Sequence, residues 1–479
     1  MSLKAKAIHG VKWTTASTIV TTLLQLLQLA ILARFLDPSA FGLMALVMVV
    51  IGFSQAFLDM GISNAIIHKQ QITHEQLSTL YWVNVLAGFG LFAIISALAP
   101  LVSTFYAEPE LTALIIIVAL TFLIQPFGQQ FMVLWQKEMR FAEIARIDIV
   151  NKTVSLVVSV VLAYMGYGVY SLVYGTLAGV VSQTIQFMIL GLKEHKPSFV
   201  FNIGEIKEFL GFGAYQMGER TINYFNSQID VILIGKLLGT EALGIYSVAK
   251  QLVMRPFQVI NPIVTKVAFP LMSKIQDDTI RLKSVYFKIV SMLSFVNLPI
   301  YGAIILLAPE IVHIMFGERW NDSVVIVQIL SLAFAIVAIG NPIGSLLMAK
   351  GKANWGFYWN LAQIFIVPFV VYFASIFGLS AVSWSIVGLK LFFMILAYPF
   401  MIKPLLDAKI SDYIFSFLPS MLITSLAFVF IYYLPIDIDN TLGELLILSL
   451  LYGLLYTAIS MVFNKQITKE LILLVKKGK

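Results

Sequence analysis

The chain has 479 residues, 59% of them apolar and 12% charged, with a mean hydropathy of +0.90 and a formal net charge of +7. A soluble protein of this size could not bury that much apolar surface, so soluble enzymes are excluded at the outset. The absence of cysteine excludes disulfides, thiolate metal sites and a cysteine nucleophile, and the positive balance reads as Lys and Arg held on one side of a membrane rather than as a nucleic-acid surface.

Crossing a bilayer as a helix takes about 20 residues. The first apolar stretch, 13–34, follows Lys4, Lys6 and Lys12. Its core is longer than that of a signal peptide and is dotted with Thr and Gln, so it is read as a retained helix. Further spans are expected at 41–65, 79–102, 111–134, 147–165, 169–190, 209–235, 241–267, 285–308, 322–348, 355–374, 379–401, 413–434 and 441–463. The sequence therefore predicts an all-α polytopic membrane protein with fourteen transmembrane helices. Charge tests the count. With the N-terminus inside, 22 Lys and Arg fall on inside segments and three, Arg34, Lys236 and Arg319, on outside loops. That asymmetry puts both termini in the cytoplasm. The longest outside loop, 309–321, is too short to hold a catalytic domain.

An internal repeat runs through the pattern. Ile31–Val47, ILARFLDPSAFGLMALV, matches Leu233–Ala249, LIGKLLGTEALGIYSVA, at an offset of 202 residues, with Leu36 on Leu238, Ala40 on Ala242 and Gly42 on Gly244. Pro126-Phe127-Gly128 in the fourth span matches Pro342-Ile343-Gly344 in the tenth. Tyr167-Gly168 before the sixth matches Phe377-Gly378 before the twelfth. Each match steps forward six helices. An even number leaves both copies with the same orientation, so the expected architecture is two six-helix lobes, 1–195 and 196–405, related by a pseudo-twofold axis along the membrane normal. Residues 406–479 add two helices and a basic tail.

The polar residues inside the spans are the candidate site. The first helix carries Thr14, Thr18, Thr21, Gln25 and Gln28 on one face, and the seventh carries Glu219, Asn223, Asn226 and Asp230 on one face. The 202-residue offset lays Thr18 on Arg220, Thr21 on Asn223 and Gln28 on Asp230. Seven basic residues lie in or at the edge of spans: Lys152, Arg220, Lys250, Arg255, Lys266, Lys288 and Lys390. A charge at mid-membrane must face protein or water. Lys266 and Lys288 lie near inner ends and can snorkel, and Lys152 lies one turn from Asp148. Arg220, Lys250 and Arg255 are expected to line a wet cavity and hold an anionic group, with helix–helix hydrogen bonding as the structural alternative for the Thr and Gln stripe. Glu219, Asp230 and Asp59 are the candidate ion-coupling carboxylates. Pro126, Pro256, Pro299, Pro342, Pro368 and Pro399 are expected to kink their helices. The five His lie in tails and loops without metal-ligand spacing, and no phosphate-cradling Gly-rich loop is present, so no metal, cofactor or enzyme activity is expected.

Several motifs carry a family resemblance: Gly10-Val11-Lys12-Trp13, Arg34-Phe35-Leu36-Asp37-Pro38 with Phe41-Gly42, Leu58-Asp59-Met60-Gly61-Ile62-Ser63, Phe269-Pro270-Leu271-Met272-Ser273-Lys274 and Phe316-Gly317-Glu318-Arg319-Trp320. With two six-helix lobes and two extra helices, the chain resembles the polysaccharide transporters, Wzx-type and colanic-acid-exporter-like, of the multidrug/oligosaccharidyl-lipid/polysaccharide exporter superfamily. The resemblance implies a flippase of the bacterial cytoplasmic membrane that moves an undecaprenyl-pyrophosphate-linked oligosaccharide by alternating access. It implies membrane lipids around the chain, a polysaccharide polymerase and export machinery as candidate partners, and no nucleic acid. A peptidoglycan-precursor flippase or a cation-coupled drug antiporter on the same fold is the alternative.

The topology is directly testable. Reporter fusions at Lys196, Lys352 and the C-terminus should report cytoplasm and one near Glu108 the outside; an outside C-terminus would reverse the sign of the charge asymmetry and refute the fourteen-span reading.

Overall fold

The computed structural model describes the chain apart from residues 1–2, 59–62, 64–65, 68, 70, 203, 205–206, 435–439 and 466–479, and apart from the side chains of residues 3–8, 11, 56, 207–220 and 222. Asp59 thus lies outside the described residues, as do the side chains of Glu219 and Arg220.

Helices account for nearly all of what is described. In hydrocarbon no water can satisfy a peptide group, so each crossing segment must close its own hydrogen bonds. The first unit by packing, Met1–Gly244, holds α1 (Leu3–Phe35), α2 (Pro38–Leu58), α3 (His74–Tyr106), α4 (Glu110–Ile124), α5 (Pro126–Lys137), α6 (Phe141–Tyr164), α7 (Tyr170–Gly191) and α8 (Lys207–Leu237). Helix α9 (Gly239–Lys274) starts in this unit and continues into the second, Ile245–Lys479. That unit adds α10 (Thr279–Leu306), α11 (Ala308–Phe316), α12 (Asp322–Gly340), α13 (Pro342–Ala349), α14 (Ala353–Ser375), α15 (Leu379–Ala397), α16 (Lys403–Leu406), α17 (Ile410–Tyr432) and α18 (Thr441–Phe463).

Among the described residues, eleven segments are long and apolar enough to cross a membrane, and twelve when α4 and α5, bent by 51° at Pro126, count as one span. The two remaining expected spans, α8 and α9, are helical and richer in charged and polar residues. They carry Glu219, Arg220, Asp230 and Lys236, and Lys250, Arg255 and Lys266. Large side chains elsewhere face away from protein: Phe365, Phe369 and Phe377 are 71%, 65% and 81% exposed, an arrangement suited to lipid and not to water.

The repeated motifs perform repeated structural tasks. Pro126 and Pro342 each open a short helix after a break, at the first helical position where a missing N–H costs nothing. Gly168 and Gly378 each adopt a left-handed backbone at a hairpin (φ 54° and 90°). The outer turns of the first repeat match touch each other. A Cβ on Gly42 would stand 1.9 Å from the Thr240 carbonyl oxygen, and one on Gly244 would stand 1.7 Å from the Pro38 carbonyl oxygen. Gly42 and Gly244 are 202 residues apart, as are Pro38 and Thr240, so the contact is reciprocal, as a local twofold axis requires.

Within the first unit α6 packs along α1 and α7, α3 along α4, and α8 along α2. Small residues allow close approach, which drives helix association where lipid removes the hydrophobic effect. Gly175 meets Ser159, and Gly128 meets the backbone of Thr184. In the second unit α10 is central, packing on α12 and α17, while α18 packs on α17. Interior side chains there are tied to one another: Asn297 donates to Asn261 (3.2 Å), Asn261 to the Ala338 carbonyl (3.1 Å) and the Tyr301 hydroxyl to the Val253 carbonyl (3.1 Å).

Gly244→Ala should destabilise the detergent-purified protein by roughly 1–3 kcal/mol, because backbone oxygen cannot give way to the new methyl. Gly453→Ala, where nothing lies within 4 Å, should be neutral or stabilising. Equal melting temperatures for the two variants would refute the reciprocal contact.

Candidate functional site

The polar face of α8 stands beside its packing face. Tyr224 donates its hydroxyl to the Val49 carbonyl (2.9 Å), lies against Gly52, and is flanked by Phe225, whose ring is tilted against Phe53 at 5.1 Å between centroids. Helical geometry puts Asn223, Asn226 and Asp230 roughly 100–160° round from Tyr224, so docking on α2 leaves their face turned away. Asn223 is exposed, while Asn226 and Asp230 are half-buried. The Asp230 carboxylate accepts from the Val231 N–H (2.9 Å). Asn223, Asn226 and Asp230 also take part in further contacts.

Helix α1 divides its stripe between two tasks. Thr18 donates to the Thr14 carbonyl and Thr21 to the Ser17 carbonyl, both at 2.8 Å, which satisfies each hydroxyl within its own helix. Gln25 is half-buried. Gln28 donates to the Ser159 hydroxyl of α6 (3.0 Å) and so ties two helices together. The nearest matches to the sequence expectation of helix–helix bonding are therefore Gln28 and, by the same logic, Asp148 of α6, which accepts from Gln183 of α7 (3.0 Å).

On α9, the Lys250 ammonium lies 5.7 Å from the Tyr246 ring centroid, within cation–π range. Arg255 is half-buried. One terminal nitrogen donates to Gln258 (3.2 Å), and its Nε is buried without a hydrogen-bond partner among the described residues. Lys250 and Arg255 lie five residues apart, about 140° round the helix, so they present cations in different directions. Lys390 of α15 is half-buried, Lys266 and Lys288 are exposed, and Lys288 and Lys390 both take part in further contacts. The described residues hold no group of three or more His, Cys, Asp or Glu fit for a metal.

Sequence reasoning missed a polar cluster in the first unit, where α5 ends, α6 begins and α7 ends. Arg140 pairs with Glu143, with Glu194 (2.6 Å) and with Glu138 (3.5 Å), and its guanidinium lies 4.3 Å from the Trp135 ring centroid. The Arg140 hydrogen bond, helped by that of the Trp135 indole N–H (3.0 Å), holds Glu194 below the usual carboxylate range. Just beyond it the segment 195–202 runs along the start of α3. His195 lies 4.7 Å from His74 between ring centroids, and His74 bonds the Ser198 hydroxyl (2.9 Å). Trp82 donates to the Ser198 carbonyl (2.9 Å) and stacks on Phe199. Glu138, Arg140 and Glu143 are close in sequence and could have been noticed together. The His pair is 121 residues apart and left no local signal.

The architecture defines a class, the all-helical multi-pass membrane proteins. The lipid II flippase MurJ in an inward closed conformation superposes with a TM-score of 0.76 at 15% identity, covering 95% of this chain and 99% of that one, which establishes a common fold. The family model described as "Polysaccharide biosynthesis protein" matches residues 31–325. The chain is 33% identical to the lipopolysaccharide biosynthesis protein WzxC of Escherichia coli strain K12, over 87% of this chain and 85% of that protein. It is 32% identical to the teichuronic acid biosynthesis protein TuaB of Bacillus subtilis strain 168, over 88% of each. The chain belongs to this polysaccharide biosynthesis family.

The His cluster has a pH signature. Burial first, then the neighbouring His74, pushes the His195 pKa below its ordinary value. The folded state therefore favours neutral His195, a contribution fully present above about pH 6.5 and lost as the pH falls below it. Hydrogen exchange across 195–202, corrected for intrinsic rate, should quicken between about pH 7.5 and 5.5. In His195→Asn the extra change should vanish; an identical pH response in that variant would exclude His195 as its origin.

Proposed function

We propose that this protein flips an undecaprenyl-pyrophosphate-linked oligosaccharide from the inner to the outer leaflet of the bacterial cytoplasmic membrane, for surface polysaccharide export. Its lobes, 1–195 and 196–405, would alternate access to a polar path, with both termini in the cytoplasm and the polymerase and export machinery receiving the product. The observation that carries this reading is the sorting of charge. Twelve spans are apolar, and Arg220, Lys250 and Arg255 are concentrated in the two that are not. Arg255 moreover keeps a buried, unpartnered Nε donor among the described residues. An unpaired buried donor is costly and is best explained by a ligand that accepts from it.

A pyrophosphate suits these donors. Guanidinium groups present planar forks that match phosphate oxygens, and charge-assisted bonds of this kind are the strong ones. The Asn and Thr residues would offer neutral hydrogen bonds to sugar hydroxyls. Cation export fits less well, because Arg220, Lys250 and Arg255 outnumber Glu219 and Asp230 on the same two helices. The relatives described as lipopolysaccharide and teichuronic acid biosynthesis proteins favour a polysaccharide unit over a peptidoglycan precursor. Glu219, Asp230 and Asp59 remain the carboxylates through which an ion gradient would act.

Arg220→Ala and Arg255→Ala should each lower surface polysaccharide about ten- to a hundredfold at unchanged membrane protein level, the loss of one charge-assisted contact. Arg→Lys should fall between. Restored export in Arg220→Ala with Asp230→Ala would show that Arg220 only neutralises Asp230, and would overturn its role in binding. In single-cysteine variants, Thr21→Cys and Asn223→Cys should react with a small hydrophilic thiol reagent and Leu23→Cys should not; equal labelling of all three would sink the polar path.

A further inference from the structure

Arg255, the cation with the buried Nε, sits at a weak point of its own helix. Pro256 follows it inside α9. Proline has no N–H, so the Leu252 carbonyl loses its partner four residues on, and the proline ring disfavours helical backbone at the residue before it, which is Arg255. The next rung of the ladder runs from the Val253 carbonyl to the Phe257 N–H. The Tyr301 hydroxyl of α10 stands at that rung. It donates to the Val253 carbonyl (3.1 Å) and meets the Phe257 N–H. Proline and a side chain inserted into the ladder are both causes of helix kinks, and here they fall on adjacent rungs.

The tyrosine is itself firmly placed. It is buried in one apolar cluster with Leu298, Ala335 and Ala338. One turn before it on α10, Asn297 donates to Asn261 of α9 (3.2 Å), and Asn261 donates to the Ala338 carbonyl (3.1 Å). Pro342 lies four residues on from Ala338 and has no N–H to give that carbonyl, so Asn261 supplies the bond that proline withholds. Phe257 is held from another side by Phe334 of α12, edge on at 6.4 Å between ring centroids. Val253, Phe257 and Asn261 recur every four residues and form the docked face of α9. Arg255 is two residues from Val253 and two from Phe257, roughly 160–200° round the helix from them, so its side chain leaves from the opposite face.

We infer that Tyr301 is a positioning residue for transport: its hydroxyl fixes the Arg255–Pro256 joint in the geometry that aims the guanidinium away from α10 and at the pyrophosphate of the cargo. The inference rests on the cargo reading above. Without the hydroxyl, the Val253 carbonyl and the Phe257 N–H can close on each other as an ordinary helical rung. The fold then loses little, while Arg255 changes direction. Tyr301 touches no cargo and acts only through Arg255.

The test measures flipping of a pyrophosphate-linked oligosaccharide lipid in vesicles containing the full-length chain, with melting temperature read alongside. Tyr301→Phe removes only the hydroxyl. It should lower the flipping rate about three- to tenfold and leave the melting temperature close to that of the parent. Pro256→Ala restores the missing N–H and alters the other half of the joint with Tyr301 in place; it should lower the rate to a similar extent without loss of stability. Neither change should lower the residual rate of Arg255→Ala any further, because a residue that acts through Arg255 then has nothing left to position. Tyr456→Phe is the control: it loses a comparable bond, to the Phe295 carbonyl of α10 (2.8 Å), and should flip like the parent. Parent-like flipping by Tyr301→Phe, a full further loss on the Arg255→Ala background, or an equal loss in Tyr456→Phe would make Tyr301 an ordinary packing residue and overturn the inference. Parent-like flipping by Arg255→Ala would instead overturn the cargo reading, and this inference with it.

Discussion

In hydrocarbon a peptide group without a partner and a charge without polar company are both expensive, by several kcal/mol for the first and a few or more for the second. That penalty organises this molecule. It makes every crossing segment a helix, allows breaks where proline has already removed a donor, as at Pro126 and Pro342, and leaves α8 and α9 as the expected spans richest in charge. The other expected spans are long and apolar enough to lie in lipid, counting α4 and α5 as one.

Packing then follows from a second consequence of the same medium. Lipid tails are as apolar as leucine, so helices adhere through close fit and buried hydrogen bonds rather than through expulsion of water. Gly42 on Thr240 and Gly244 on Pro38 bring backbone against backbone. Gln28 on Ser159 and Gln183 on Asp148 place one polar bond at each of two helix seams. In the glycine contact, residues that match at the 202-residue offset exchange places.

The helices were legible in the sequence because apolar length is a one-dimensional signal. Local tasks were legible too: Pro126 and Pro342 each open a short helix, and Gly168 and Gly378 each take a positive φ at a turn. Partners across sequence distance were not. Nothing near Gln28 announces Ser159, 131 residues on, and nothing near Arg140 announces Glu194. A polar stripe on a helical wheel looks the same whether it faces water or a neighbouring helix. The first helix proves the point: Thr18 and Thr21 bond within their own turn, while Gln28 bonds across to α6. The face of α8 is easier to interpret, because Tyr224 fixes which side docks on α2.

The central claim is that cations on α8 and α9 carry the pyrophosphate of a lipid-linked oligosaccharide. The most direct measurement follows transbilayer movement in vesicles containing the purified protein, comparing one oligosaccharide linked to the polyprenyl chain through pyrophosphate with the same oligosaccharide linked through a neutral group. The account predicts protein-dependent movement of the pyrophosphate-linked lipid and little movement of the neutral one. Equal movement of both, or transport of a cationic compound in place of either, would contradict it.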